Sequence, residues 1–137
     1  MLKIRKAQME VLSQISLRNF ENQMVQHLNE FFPDACRQMG DDEISSFVKY
    51  GIGKAKKYSV TSKKDVCRYL NLMMILGVRF DEDEALPWAG EILNSSSLSS
   101  GETKMMYLNQ TATQYLEEQE NRDNKKQETV EQHWWFN

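Results

Sequence analysis

Residues 66–76 read VCRYLNLMMIL. Val66, Cys67, Tyr69, Leu70, Leu72, Met73, Met74, Ile75 and Leu76 leave almost no polar side to this run. A helix that is apolar all round is normally central to its domain. A buried strand is the competing reading. Leucine and methionine richness, and a length beyond about ten residues, favour the helix. Gly77 is its natural stop. Upstream, Ser62 and Asp65 have capping-box spacing, with aspartate in place of the stronger glutamate.

Working toward the N-terminus, residues 42–57 predict a second helix. Asp41, Asp42 and Glu43 suit the positive end of a helix dipole. Ile44, Phe47, Val48, Ile52 and Ala55 form its inner stripe. Gly51 and Gly53 interrupt that pattern, each costing roughly 1 kcal/mol relative to alanine in a helix. They mark either a close helix–helix approach or a kink. Further back, Met9, Leu12, Ile15 (or Ser16), Phe20, Met24 (or Val25), Leu28 and Phe31 recur at helical spacing. Pro33 closes this first helix near Phe32 and can open a short one ending at Gly40.

Working toward the C-terminus, residues 79–84 (RFDEDE) read as an acidic turn. Pro87 opens a short helix through Trp88, Ala89, Ile92 and Leu93. Residues 94–100 form a serine-rich loop. A last helix follows, with Met105 (or Met106), Leu108, Thr111 (or Ala112), Tyr115 and Leu116 inward. Its pattern dissolves into charge and amide from Glu117 onward. The fold class that results is all-α: a single compact bundle of five to six helices around a central apolar helix. The helical domain is expected over residues 1–120. A charged, amide-rich extension follows over 121–137.

The composition agrees. With 137 residues the chain is long enough for a real core and short enough for one domain. Only six glycines and two prolines argue against a turn-rich β-sandwich. Seventeen basic and twenty acidic residues give a net charge of -3, which excludes a uniformly basic nucleic-acid binder. No apolar stretch is long enough to span a bilayer. The N-terminal residues carry positive charge but no uninterrupted apolar segment of the secretory type, so the expected location is the cytoplasm.

Little in the sequence points to catalysis. Cys36 and Cys67 form no CxxC pair and no zinc spacing, and read as small buried hydrophobes. His27 and His133 stand apart from any other histidine or cysteine at ligand spacing. A calcium loop opening at Asp81 would need glycine at its sixth position and glutamate at its twelfth. Leu86 and Ile92 stand there instead. No catalytic set, metal or cofactor is expected.

Two features suggest binding. Residues 49–68 hold seven cations, among them Lys54, Lys56, Lys57, Lys63 and Lys64, against the single acid Asp65, a local charge of +6. Such a patch can steer an acidic protein, grip phosphates, or pair internally with the acids of 81–84 or of the last helix. The apolar helix that follows it counts against helix-turn-helix DNA reading. The chain ends in residues 133–136, HWWF. Trp134, Trp135 and Phe136 either complete the core or anchor a partner, as tryptophan often does at interface hot spots. Trp88 is a lesser candidate of the same kind, since a tryptophan after proline commonly plugs a core.

A family pattern is carried by Phe20, His27-Leu28, Phe32-Pro33, Gly51-Ile52 with Ala55, Tyr58-Ser59-Val60 and Asp65-Val66. It continues through residues 72–77, Phe80-Asp81, Pro87-Trp88-Ala89 and Ile92-Leu93. From the first helix to Leu93 the chain resembles small helical proteins of bacterial type VI secretion loci. It also resembles the C-terminal helical part of the adaptors that load effectors onto the secretion spike. The resemblance brings no catalytic residues and does not extend to the aromatic terminus. It implies a non-enzymatic adaptor, chaperone or co-chaperone that binds an effector toxin, a larger adaptor or the spike. The alternatives are an immunity protein presenting an acidic face to a toxin, from residues 81–84 or 117–120, and a nucleic-acid-binding regulator. A homo-oligomer is compatible with each.

Overall fold

The computed structural model describes residues 2–123, with side chains over 16–122. Trp134, Trp135 and Phe136 lie outside the described residues. The described chain is all-α, with six helices and no strand among those residues. They are α1 (Leu2–Phe31), α2 (Pro33–Met39), α3 (Asp41–Lys57), α4 (Lys63–Leu76), α5 (Pro87–Leu93) and α6 (Gly101–Asp123), with a single 3-10 turn at Phe80–Glu82. The end of the helical domain, expected at residue 120, falls in the last turns of α6.

Local chemistry sets most boundaries. Pro33 and Pro87 each occupy the first turn of a helix, where a missing N–H costs nothing. Ser62 caps α4: its Oγ accepts from the Asp65 backbone N–H at 3.2 Å and donates to the Asp65 carboxylate at 2.9 Å. Gly40 and Gly77 end α2 and α4 at positive φ, 84° and 118°, a conformation glycine adopts without a Cβ penalty.

The chain divides into two compact units, Met1–Lys49 and Tyr50–Asn137, and the division falls inside α3. In the first unit α1 packs on α2. Phe20, Met24, Leu28, Cys36, Ile44, Phe47 and Val48 are buried there. His27 is also buried, its ring 4.7 Å from that of Phe31.

In the second unit α4 contacts α6 and the 3-10 turn, and α5 contacts the same two elements. Burial on α4 runs from Asp65 to Met73 with only Arg68 interrupting it, as its apolar sequence requires. Met74, Ile75 and Leu76 are half-buried. Gly51 resolves the question raised by the two glycines of α3. A Cβ there would run into Leu70 and Met73 of α4, so the residue permits close helix approach. Gly53 faces open space.

The end of α3 departs from glycine chemistry. The Val60 and Ser59 N–H groups donate back to Ala55 and Lys56, and Ser59 sits at φ 68°. This is a Schellman ending with serine in the left-handed position. α6 starts against it. Gly101 leaves no room for a Cβ beside the Ser59 carbonyl, and Lys104 Nζ donates to the Tyr58 carbonyl at 3.3 Å.

Candidate functional site

Among the lysines of the basic run, Lys54 has a distinct place. One turn of α3 separates Lys54 from Tyr58, so both side chains lie on the same face. Both reach the 3-10 turn. Lys54 Nζ lies 2.8 Å from Asp81 Oδ2 and 2.6 Å from Glu82 Oε2. The Tyr58 hydroxyl donates to Asp81 Oδ2 at 2.7 Å. The Asp81 side chain is 0% exposed and that of Lys54 12%. Tyr69 closes the cluster, its ring 5.1 Å from Phe80 and 6.5 Å from Tyr58.

Electrostatics follow from this geometry. Burial alone would raise the Asp81 pKa, but hydrogen bonds from Lys54 and Tyr58 and the lysine charge hold it below the ordinary carboxylate value. Burial also opposes the Lys54 charge, yet Asp81 and Glu82 together raise its pKa above that of an ordinary lysine. Burial, then the hydrogen bond and charge of Asp81, push Tyr58 up to about 12. With Asp81 sealed from solvent, the cluster ties α3 to the turn as a structural ion pair. Removing one partner of such a pair typically costs about 3–5 kcal/mol.

Lys54 therefore belongs to internal pairing, one of the three roles weighed for the basic run, and contributes no exposed charge to a steering patch. Lys56, Lys57, Lys63 and Lys64 are exposed at the end of α3 and the start of α4. Among the described residues none of these four has an ion-pair partner. Lys57 lies 5.9 Å from the Tyr58 ring centroid. The acidic stretch loses as much. Asp81 and Glu82 are engaged by Lys54, and Asp83 accepts from the Ala85 N–H at 2.9 Å. Trp88 is half-buried with its ring 5.7 Å from Tyr115 of α6.

A second feature has no counterpart in the sequence reading. A cavity of about 580 Å³ lies on α4 and α6, lined by Arg68, Met106, Asn109, Gln110, Thr113 and Gln114 among others. Asn109 is 3% exposed, and neither its Nδ2 nor its Oδ1 has a hydrogen-bond partner. A buried polar group left unpaired costs about 1–3 kcal/mol. Asn109 sits among Met105, Leu108 and Ala112, the buried stripe of α6. An amide at an inward position of an amphipathic helix is the signal that points to it. Arg68 is visible in the sequence only as one more cation of the basic run.

No group of three or more His, Cys, Asp or Glu side chains among the described residues is placed to hold a metal ion. Nor is any described helix long and apolar enough to cross a membrane. Both cysteines are buried and unbonded, and burial raises the Cys36 thiol pKa and pushes that of Cys67 up to about 12. Comparison of the chain with protein-family models, curated proteins and solved structures finds no match.

Proposed function

We propose that the protein is a non-enzymatic accessory protein of a bacterial type VI secretion system. It acts in the cytoplasm as an adaptor, chaperone or co-chaperone, covering apolar surface of an effector, a larger adaptor or the spike before export. The secretion context rests on the residue pattern described for residues 20–93. The observation that carries a binding role is the lysine patch. Four cations crowd the ends of α3 and α4 with no described acid opposing them, which suits an acidic protein surface. For the immunity reading, Asp81 and Glu82 are engaged by Lys54, which leaves the acids of residues 117–120 as its acidic face.

Affinity capture from the native host tests this. The baits are the full chain, a Lys56→Glu, Lys57→Glu, Lys63→Glu, Lys64→Glu variant and a deletion of residues 132–137. A spike component or large toxin should come down with the full chain and be reduced with the reversed-charge bait. Its association rate should fall with added salt. If the deletion alone loses it, the terminal aromatics are the anchor. Recovery of no secretion protein overturns the proposal. Retention on DNA that falls steeply with salt would replace it with the regulator reading.

A further inference from the structure

The exposed side of α3 carries charge in an order that a second copy of the same helix matches. α3 runs unbroken from Asp41 to Lys57. Its exposed side holds acids at the start, Asp42 and Glu43, and lysines at the end, Lys56 and Lys57. Among the described residues none of these four has an ion-pair partner. We propose that the chain forms a two-fold homodimer in which α3 packs antiparallel on α3 of a second copy, with Asp42 and Glu43 of each facing Lys57 and Lys56 of the other.

Helical spacing puts these residues on one stripe. Asp42, Ser46, Lys49, Gly53 and Lys56 follow one another at steps of four and three. Glu43, Tyr50 and Lys57 run beside them at steps of seven. All are exposed, while the buried Ile44, Phe47, Val48 and Ala55 take the opposite side. The order of charge along the stripe selects the orientation. A parallel copy would lay acid on acid and lysine on lysine. An antiparallel copy lays each on its opposite, at both ends of the seam at once, as a self-complementary two-fold interface requires. The axis then passes between Lys49 and Tyr50. It sets Lys49 against the ring of Tyr50 in the second copy, a cation–π contact, and Ser46 against Gly53. Tyr50, 40% exposed, supplies apolar area there. Gly53 weakens α3 as a helix, yet nothing lies within 4 Å of where its Cβ would stand. Unlike Gly51, it has no reason inside the chain; a second helix crossing close at this point gives it one. One helix face is at the small end of the interface range, so the dimer is weak and salt-sensitive.

The dimer goes beyond the adaptor reading and does not rest on it. It uses Lys56 and Lys57 of the basic run but not Lys63 and Lys64, which lie on α4. An acidic partner would compete with the second copy for the first two. The test is sedimentation velocity of the full chain from micromolar to millimolar concentration. At low salt a monomer–dimer equilibrium is expected, weakening about ten-fold or more at high salt. Asp42→Lys with Glu43→Lys, and separately Lys56→Glu with Lys57→Glu, place like charges at both ends of the seam. Each of these double variants alone should sediment as a monomer. Mixed in equal amounts, they restore opposite charges at both ends and should form the dimer again. Gly53→Gln adds bulk to the seam and open space surrounds its own Cβ, so helical circular dichroism should stay native while association weakens about ten-fold. A monomer at every concentration overturns the proposal. So does a dimer indifferent to charge reversal, or a mixture that stays monomeric while both variants keep native circular dichroism. If a reversed chain fails to fold, the native and Gly53→Gln series decides. Failure of the dimer leaves lysine-dependent capture of a secretion protein intact, and failure of that capture leaves the dimer standing.

Discussion

Lys54 holds its ammonium 2.8 Å from Oδ2 of Asp81, and the Asp81 carboxylate is closed to solvent. The pair joins α3 to the 3-10 turn across a long separation in sequence. Its strength depends on Lys54 being present, because the closed Asp81 carboxylate would otherwise lack a counter-charge, whereas Lys54 without Asp81 keeps Glu82 at 2.6 Å.

Lys54→Met should therefore lower stability by about 3–5 kcal/mol, read from urea unfolding midpoints. Adding Asp81→Asn should restore much of that loss, since the asparagine still accepts from Tyr58. Glu82 is half exposed, so Glu82→Gln should cost about 1 kcal/mol or less. Equal losses for Lys54→Met and Glu82→Gln would contradict the assignment.

Acid and alkali should unpick the same cluster from opposite sides. Asp81 has a lowered pKa in the folded state. Its contribution is present above the unfolded value of about 3.9 and is lost as pH falls further, through the folded value. Melting temperatures between pH 7 and 2 should fall steeply for the native chain and less for Asp81→Asn. Tyr58 is raised to about 12. Its contribution is complete below the unfolded value of about 10 and is lost as pH rises through about 12. Lys54, raised as well, acts in the same direction. Burial raises the Tyr69 hydroxyl as well. Phenolate absorbance should therefore show two late-titrating tyrosines in the native chain and one fewer in Tyr58→Phe.

The two glycines of α3 should respond oppositely to alanine. At Gly51 the new Cβ meets Leu70 and Met73, and overpacking of this kind costs about 1–3 kcal/mol. At Gly53 nothing lies in its way, and removal of a mid-helix glycine should add up to about 1 kcal/mol. A comparison of the two denaturation midpoints checks both. A neutral Gly51→Ala would mean that α4 yields easily.

Ser59 carries left-handed backbone at the close of α3. A non-glycine residue in that conformation costs about 1–2 kcal/mol, partly offset by the extra unfolded-state freedom of glycine. Ser59→Gly should raise the melting temperature by a few degrees, and Ser59→Val should lower it. The helical circular dichroism of the two variants should match that of the native chain.

Much of the fold was legible because it depends on neighbours in sequence. Pro33 and Pro87 start helices by the geometry of one ring. Ser62 with Asp65 caps α4, and Gly77 ends it. The burial of Val66, Cys67, Tyr69 and Leu70 follows from a helix with no polar side to turn outward. The stripes of α3 and α6 were readable from period alone, and the structure chose Met105 over Met106 and Ala112 over Thr111.

The candidate sites were less legible, because each depends on residues far apart in the chain. Seven cations in twenty residues look like one patch until the chain folds. Only tertiary structure brings Lys54 against Asp81 and leaves Lys56, Lys57, Lys63 and Lys64 in solvent. The same holds for Asn109. Its inward position is written in the period of α6, but its unmet amide and the cavity beside Arg68 exist only once α4 lies against α6. Sequence determined helix type, helix ends and the buried stripes, since backbone sterics, capping and hydrophobic period act within a few residues. Which charges neutralise one another, and which polar group is left without a partner, was decided by packing between elements, where distance in space replaces distance along the chain.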